Sequence, residues 1–270
     1  MALSSRAVRP VALITGASGG IGEALAHEFA RGGYDLVLVA RSADKLKAVA
    51  ETLKAYGATA TVIAADLQAP GAGAALENAV AEKGLVIEAL VNNAGYGTTG
   101  AVLDGDLDVQ LGIIDLNVRV LTELSHRFGR GMRARGRGGI LNVASTAAYQ
   151  PGPYMAVYYA SKAYVLSFSE ALNRELKGSG AHATALCPGP VQTGFQARAE
   201  FDASMGLMAL PSLSATAVAR AGFEGFKRRQ AVVIPGASNF IMAKSAAFTP
   251  RSVLLTVVET LQKKRSGTHG

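Results

Sequence analysis

Two side chains that could exchange a proton lie one helical turn apart in the stretch YYASKAY, residues 158–164. On a helix, residues i and i+3 or i+4 share a face, so Lys162 can neighbour either Tyr158 or Tyr159. An unperturbed tyrosine has a pKa of about 10, and a nearby ammonium group lowers that pKa by stabilising the phenolate. Such a tyrosine can give a proton to a carbonyl oxygen or remove one from an alcohol. The spacing leaves both tyrosines open, and a packed tyrosine–lysine pair without chemistry is the alternative.

A glycine-rich stretch, TGASGGIG at residues 15–22, follows a short apolar run and precedes residues with helical spacing. Glycines let the backbone approach a pyrophosphate, and a helix N-terminus offers N–H groups to that anion. The context of strand, turn and helix therefore favours dinucleotide binding over a tight turn without a ligand. The spacing fits G-x-x-x-G-x-G, through Gly16, Gly20 and Gly22. It fits G-x-x-G-x-x-G equally well, with Gly19 in the middle.

The end of the second apolar run, LVLVAR, indicates which dinucleotide binds. An acidic residue at this point would hydrogen-bond the ribose hydroxyls of NAD. Ala40 and Arg41 stand there instead, and an arginine can pair with a 2′-phosphate. Ser42 adds a hydroxyl donor. The sequence therefore favours NADP(H), although an exposed arginine in front of a helix would look the same.

Several short motifs occur in one order along residues 10–236, and together they resemble the classical short-chain dehydrogenase/reductase family. The matching features are T-G-x-x-x-G-x-G at Thr15–Gly22, N-N-A-G at Asn92–Gly95, Asn117, Ser145, Y-x-x-x-K at Tyr158–Lys162 and P-G at Pro188–Gly189. Ser145 lies thirteen residues before Tyr158, as the family pattern requires. The resemblance selects Tyr158 over Tyr159, and it selects the glycine spacing through Gly20.

The resemblance also implies roles for individual residues. The implied catalytic set is Asn117, Ser145, Tyr158 and Lys162, in which Ser145 holds the substrate oxygen and Asn117 supports a water chain to Lys162. The implied cofactor-binding residues are Gly16, Ser18, Gly20, Ile21, Gly22, Arg41, Ser42, Asp66, Leu67, Asn93, Ala94, Gly95, Tyr158, Lys162, Pro188, Gly189, Val191 and Thr193. No metal site is expected.

Apolar runs alternate with helical stretches along the whole chain, which predicts an α/β fold. Strands that are apolar on both faces indicate a doubly wound parallel sheet of about seven strands with helices on both faces, a Rossmann fold. We expect a single domain over residues 1–270, with a substrate loop or lid at 190–213. Residues 237–270 form a C-terminal extension whose helix carries an apolar stripe. The stripe consists of Val253, Leu254, Val257, Val258 and Leu261.

Composition and charge exclude other classes of protein. The net charge is +7, but no nucleic-acid motif accompanies it, and attachment to a membrane surface through the basic C-terminal helix is not its expected use. The single cysteine, Cys187, excludes an intrachain disulfide and favours the cytoplasm. It is expected to be a small buried hydrophobe. The long helical stretches at 106–135 and 154–177 resemble the family's pairing surfaces, so a homodimer or homotetramer is expected.

These features predict an NADP(H)-dependent oxidoreductase of the carbonyl reductase or alcohol dehydrogenase type. It would transfer a hydride between nicotinamide and a carbonyl or secondary alcohol substrate of apolar character. The alternative is a non-catalytic dinucleotide-binding regulatory or scaffold protein.

Overall fold

The computed structural model describes residues 9–191, 212–246 and 248–265. Within these residues, the predicted apolar runs form seven strands of one sheet, in the order β3-β2-β1-β4-β5-β6-β7, and all neighbouring strands are parallel. The strands are β1 (Val11–Thr15), β2 (Asp35–Ala40), β3 (Ala60–Ala64), β4 (Ile87–Asn92), β5 (Gly138–Val143), β6 (Ala181–Leu186) and β7 (Val232–Val233). The predicted Rossmann fold is confirmed.

Helices cover both faces of the sheet. They are α1 (Gly20–Arg31), α2 (Ala43–Leu53), α3 (Ala72–Glu82), α4 (Leu107–Ile114), α5 (Val120–Ala134), α6 (Ala156–Glu175), α7 (Ala215–Lys227), α8 (Ala237–Ser245) and α9 (Arg251–Arg265). One face is covered by α1, α2 and α7, and the other by α3, α5 and α6. The predicted long helix at 106–135 is two helices, because a single π-helical turn at Asp115–Arg119 separates α4 from α5.

Side chains of β1 show why its sequence is apolar without alternation. Ile14 packs with Phe29 of α1 on one face of the sheet, while Leu13 packs with Leu76 of α3 and Leu124 of α5 on the other. Since all five are fully or almost fully buried, each contributes about 1.5–3 kcal/mol of transfer free energy. The two cores hold the sheet rigid between its helix layers.

The strand order reverses between β1 and β4, which lie side by side although they are far apart in sequence. In open α/β sheets, ligands bind outside the carboxyl ends of the strands at such a switch point. The edge formed by the carboxyl ends of β1, β4, β5 and β6 is therefore where a functional site is expected.

The C-terminal helix α9 packs on the body of the protein through part of the stripe read from the sequence. Val258 and Gln262 are its buried residues, at 3% and 2% exposure, whereas Val253 and Val257 are about half exposed. The inward face therefore keeps Val258 of the predicted stripe, with Leu254 and Leu261 partly buried, and adds the amide of Gln262. In the part of the chain that the structure describes, no helix has the length and apolar character needed to cross a membrane.

Candidate active site

The turn between β1 and α1 has the geometry that requires glycine. Gly16 and Gly20 have φ values of +66° and +60°, in the left-handed region that L side chains avoid. A Cβ atom at Gly22 would overlap the carbonyl oxygen of Gly16. Gly19, by contrast, has extended backbone, and a Cβ atom there would meet nothing within 4 Å. The spacing through Gly16, Gly20 and Gly22 is thus the one that the turn depends on.

This turn fits a dinucleotide pyrophosphate. Helix α1 begins at Gly20 without a side-chain cap, so the N–H groups of its first turn have no competing side-chain acceptor. The open space at Gly19 leaves the backbone accessible at the same point. Ser18 and Ile21 flank this opening and are both half-buried.

The turn is fixed to the end of β4 by one hydroxyl and one amide. The Oγ1 atom of Thr15 accepts from the backbone N–H groups of Asn93 and Ala94, each at 3.0 Å. In return, Nδ2 of Asn93 donates to the carbonyl oxygens of Thr15 at 2.9 Å and Gly16 at 3.2 Å. The two loops at the switch point therefore hold each other in register, in the crevice that a dinucleotide would occupy.

The Tyr158 phenol lies at the carboxyl end of β5 and is hydrogen-bonded to the Ser145 side chain. Ser145 begins the short 3₁₀ turn at Thr146–Tyr149, and its Oγ accepts from Ala147 N at 3.1 Å. The neighbouring phenol of Tyr159 points elsewhere and accepts from Gln262. The geometry thus separates the two tyrosines that helical spacing alone leaves open.

Lys162 lies one turn further along α6 and is 6% exposed. Its Nζ donates to the carbonyl oxygen of Val143, the last residue of β5, at 2.8 Å. The same Nζ is 5.8 Å from the centroid of the Tyr158 ring. The backbone of β5 therefore positions the ammonium group behind the phenol.

Asn117 is buried within the π-helical turn, a distortion that is frequent at functional sites. Its Oδ1 accepts from Tyr96 N at 3.1 Å, and its Nδ2 donates to Tyr96 O and to Ser161 Oγ, both at 3.0 Å. A Cβ atom at Gly95 would lie 2.8 Å from Asn117 Oδ1 and 3.5 Å from Lys162 Nζ. The N-N-A-G loop, Asn117 and Lys162 are thus in direct proximity.

The expected lowering of the Tyr158 pKa is not found in this structure. Burial raises the pKa of Tyr158 to about 12, outweighing the Ser145 hydrogen bond, which lowers it. Burial also lowers the pKa of Lys162 to about 8. Desolvation disfavours both charged forms, and the spacing of the lysine and the tyrosine along a helix does not reveal it.

The segment after β6 forms the opposite wall of the site. Thr146 N donates to Pro188 O at 2.9 Å, which ties the Ser145 turn to the P-G motif. Gly189 lies against the buried side chain of Asn239 in α8, so that a Cβ atom at Gly189 would overlap it. Val191 is buried, whereas Thr193 and most of the predicted lid at 190–213 lie outside the described residues.

The residues predicted for the adenosine end follow β2 and β3 at the same edge. Arg41 is exposed directly after β2, and Ser42 occupies the N-cap position of α2 without making a capping hydrogen bond. Asp66 is exposed after β3, where its Oδ1 accepts from Gln68 N at 3.1 Å, and Leu67 is buried. The structure thus places all predicted site residues, Thr193 apart, along one edge of the sheet.

Sequence reasoning missed several residues that hold this site. They are Thr15 as a brace, Tyr96 and Ser161 as partners of Asn117, Val143 as the acceptor for Lys162, and the C-terminal amides Asn239 and Gln262. Two of them have a signal in the sequence. Thr15 begins the T-G-x-x-x-G-x-G motif, and Gln262 is a polar residue four positions after Val258 on a helix face that packs inward. Cys187 is fully buried, as predicted.

Comparisons with known proteins identify the family of this chain. The sequence model of the family described as short chain dehydrogenase matches residues 10–203. A short chain dehydrogenase of Pseudocercospora fijiensis is 33% identical over 184 residues, which are 67% of this chain and 60% of that protein. The chain therefore spans about three fifths of the length of that relative.

Solved structures resemble the chain over a larger share. A short-chain dehydrogenase from Sphingobium yanoikuyae in complex with NADPH is 34% identical with a TM-score of 0.79, covering 88% of this chain and 94% of that one. An alcohol dehydrogenase from Comamonas testosteroni, specific for bulky-bulky ketones, is 31% identical with a TM-score of 0.74, covering 88% and 92%. This chain belongs to the short-chain dehydrogenase family.

Proposed function

We propose that the protein is an NADP(H)-dependent carbonyl reductase, or an alcohol dehydrogenase in the reverse direction. The observation that carries the proposal is the Tyr158 phenol hydrogen-bonded to Ser145, with the Lys162 ammonium group fixed behind it by Val143. A phenol with a pKa of about 12 is protonated at neutral pH, so it is ready to donate to a carbonyl oxygen. That proton state supports reduction as the direction favoured near neutrality.

Each residue then has a defined part in the reaction. Ser145 donates a hydrogen bond to the substrate oxygen, and Tyr158 gives that oxygen its proton as the carbonyl is reduced. Lys162 stabilises the phenolate that is left, and Asn117 holds Tyr96 and Ser161 around the lysine. When bound, the nicotinamide supplies the hydride, which is the cofactor's own chemistry. Gly95, Pro188 and Gly189 would line its ring.

The choice of NADP(H) rests on the end of β2. Ala40 ends the strand where an NAD enzyme would carry an acid, and the exposed Arg41 offers a guanidinium group to a 2′-phosphate. The Ser42 hydroxyl, which makes no capping hydrogen bond, offers a second donor. The NADPH complex of the Sphingobium relative supports the same choice.

We propose a ketone, aldehyde or secondary alcohol of apolar character as the substrate. The ketone-specific alcohol dehydrogenase of Comamonas testosteroni, which aligns over most of its length, supports this class. A non-catalytic scaffold is not supported, because the tyrosine and the lysine that such proteins usually lack are both in place.

The function is tested with a panel of acetophenone, benzaldehyde, cyclohexanone and a 3-oxo ester, run with NADPH and NADH in parallel. We expect oxidation of NADPH with at least one of these carbonyls, and a lower KM for NADPH than for NADH. Tight NADPH binding without turnover of any carbonyl in the panel would refute the proposed activity.

We further propose that the enzyme pairs with a second copy through α4 and α6. Leu107, Leu111 and Ile114 of α4 are exposed at 68%, 47% and 43%, which is unusual for one helix face. Beside them lies an apolar hollow of about 240 Å³, lined by Ile114, Val118, Val157, Ala160 and Ser161. Sedimentation velocity of the wild type and of Val157→Asp tests this, and we expect a dimer or tetramer that the substitution dissociates.

A further inference from the structure

The C-terminal helix reaches the residue beside the proposed acid. The Nε2 atom of Gln262 donates a hydrogen bond of 2.7 Å to the phenol of Tyr159, 103 positions earlier in the chain. Both side chains are buried, at 2% and 8% exposure. A buried amide is costly unless it is hydrogen-bonded, so this contact fixes where α9 lies on the body of the protein.

The Tyr159 ring is held from three sides. It packs against the backbone of Gly152, where an added Cβ atom would overlap it. It also belongs to a cluster of buried residues with Ala147, Met155 and Val258. Val258 lies one turn before Gln262, so α9 contributes both an apolar contact and a polar contact to this cluster.

The same cluster contacts both residues of the proposed proton-donating pair. The backbone N–H of Ala147 donates to Ser145 Oγ at 3.1 Å. The Tyr158 ring packs against the cluster and lies edge-on to Tyr159, with the ring centroids 6.0 Å apart and the planes at 77°. A shift of Tyr159 would therefore move Ser145 through Ala147, and Tyr158 directly.

We propose that Gln262 is a positioning residue for the reaction: through Tyr159, it holds the Ser145 turn and the first turn of α6 in register for proton transfer. This inference rests on the proposed function. It assigns a role to a helix that lies beyond residues 10–203, the part of the chain that the family model matches. The hydrogen bond between Tyr158 and Ser145 is the geometry that the cluster preserves.

The test compares full-length Gln262→Leu, Tyr159→Phe and the double variant with the wild type, using acetophenone or whichever panel carbonyl the wild type reduces. Small misplacements of reacting groups lower rates strongly, so we expect kcat to fall about tenfold in each single variant. The Kd for NADPH, measured by its own fluorescence, should stay within about twofold because the dinucleotide edge is not touched. The double variant should lose no more than either single variant, since both remove the same contact.

Thr260→Ala is the matched control, because Thr260 lies on the exposed side of the same helix and bonds only the backbone of Thr256. It should retain wild-type kcat. Wild-type kcat in both single variants, with only a lower Tm, would overturn the inference, and so would losses that multiply in the double variant. Should Gln262→Leu fail to fold, Tyr159→Phe, which removes only the acceptor oxygen, decides by the same criteria. A wild type that turns over no carbonyl at all would instead refute the proposed function.

Discussion

Lys162 donates its hydrogen bond to Val143 O rather than to the Tyr158 phenol, although it lies one helical turn from that tyrosine. The Nζ atom of Lys162 lies 5.8 Å from the centroid of the Tyr158 ring. The end of strand β5 therefore fixes the lysine ammonium group, so its position depends on the sheet as well as on helix α6.

The proton state of Tyr158 predicts different pH dependence for the two directions of reaction. Its pKa is raised to about 12, so between about pH 6 and pH 8, where Lys162 with its pKa of about 8 is still charged, the phenol keeps its proton while the small phenolate fraction rises about tenfold per pH unit. The rate of alcohol oxidation, which needs the phenolate, should therefore increase with pH across this range. The rate of ketone reduction should not increase. Initial rates in both directions check this, and an oxidation rate that is flat or falls with pH would contradict it.

Arg41 is predicted to select the 2′-phosphate. Arg41→Ala should raise the KM for NADPH by about 10- to 100-fold, because it removes one charge-assisted hydrogen bond. It should leave the KM for NADH nearly unchanged. Lys54→Ala, an exposed cation beyond the far end of the following helix, is the control and should change neither value. Equal increases in the KM for NADPH and for NADH would show that Arg41 does not bind the 2′-phosphate.

Two glycines of the same turn should respond differently to alanine. Gly22→Ala places a Cβ atom onto the carbonyl oxygen of Gly16, so the free energy of unfolding should fall by about 1–3 kcal/mol. Gly19→Ala places its Cβ atom in open space, at the point where the pyrophosphate would lie. That variant should unfold like the wild type but bind NADPH more weakly. Urea unfolding and NADPH titration of both variants separate the two effects, and normal NADPH affinity in Gly19→Ala would contradict the proposed cradle.

His182 should make the protein acid-sensitive. Its imidazole ring packs on the ring of Phe226, with the ring centroids 4.7 Å apart, and burial there lowers its pKa to about 4. In the unfolded chain the pKa is about 6.5, so between about pH 6.5 and pH 4 the unfolded state binds more protons. The free energy of unfolding should therefore fall as the pH is lowered through this window, by about 3 kcal/mol in total.

His182→Leu should remove most of that pH dependence, because the group that takes up the proton on unfolding is absent. His126→Leu, at an exposed position, should retain it. Urea unfolding of the three proteins at several pH values measures the difference. A fall of the same size in His182→Leu would mean that other groups cause the acid sensitivity.

The sequence predicts the sheet and its edge well, because continuous apolar runs and glycine turns are local signals. Gly16 and Gly20 illustrate this, since their positive φ values follow from the tight turn that the motif indicates. The inward face of α9 was predicted only in part, because a stripe of Val and Leu does not reveal that Gln262 has a buried partner 103 positions away. The predicted direction of the Tyr158 pKa shift was wrong, because burial depends on tertiary structure and cannot be read from spacing along a helix.

The measurement that tests the account most directly is the comparison of Tyr158→Phe with the wild type for NADPH affinity and for ketone turnover. Since the chain has no tryptophan, the fluorescence of bound NADPH can be followed without that background. We predict an unchanged Kd for NADPH and a kcat lower by about 10²- to 10⁴-fold, the usual contribution of a positioned general acid. A variant that binds NADPH equally well and reduces the ketone at the wild-type rate would show that another group supplies the proton.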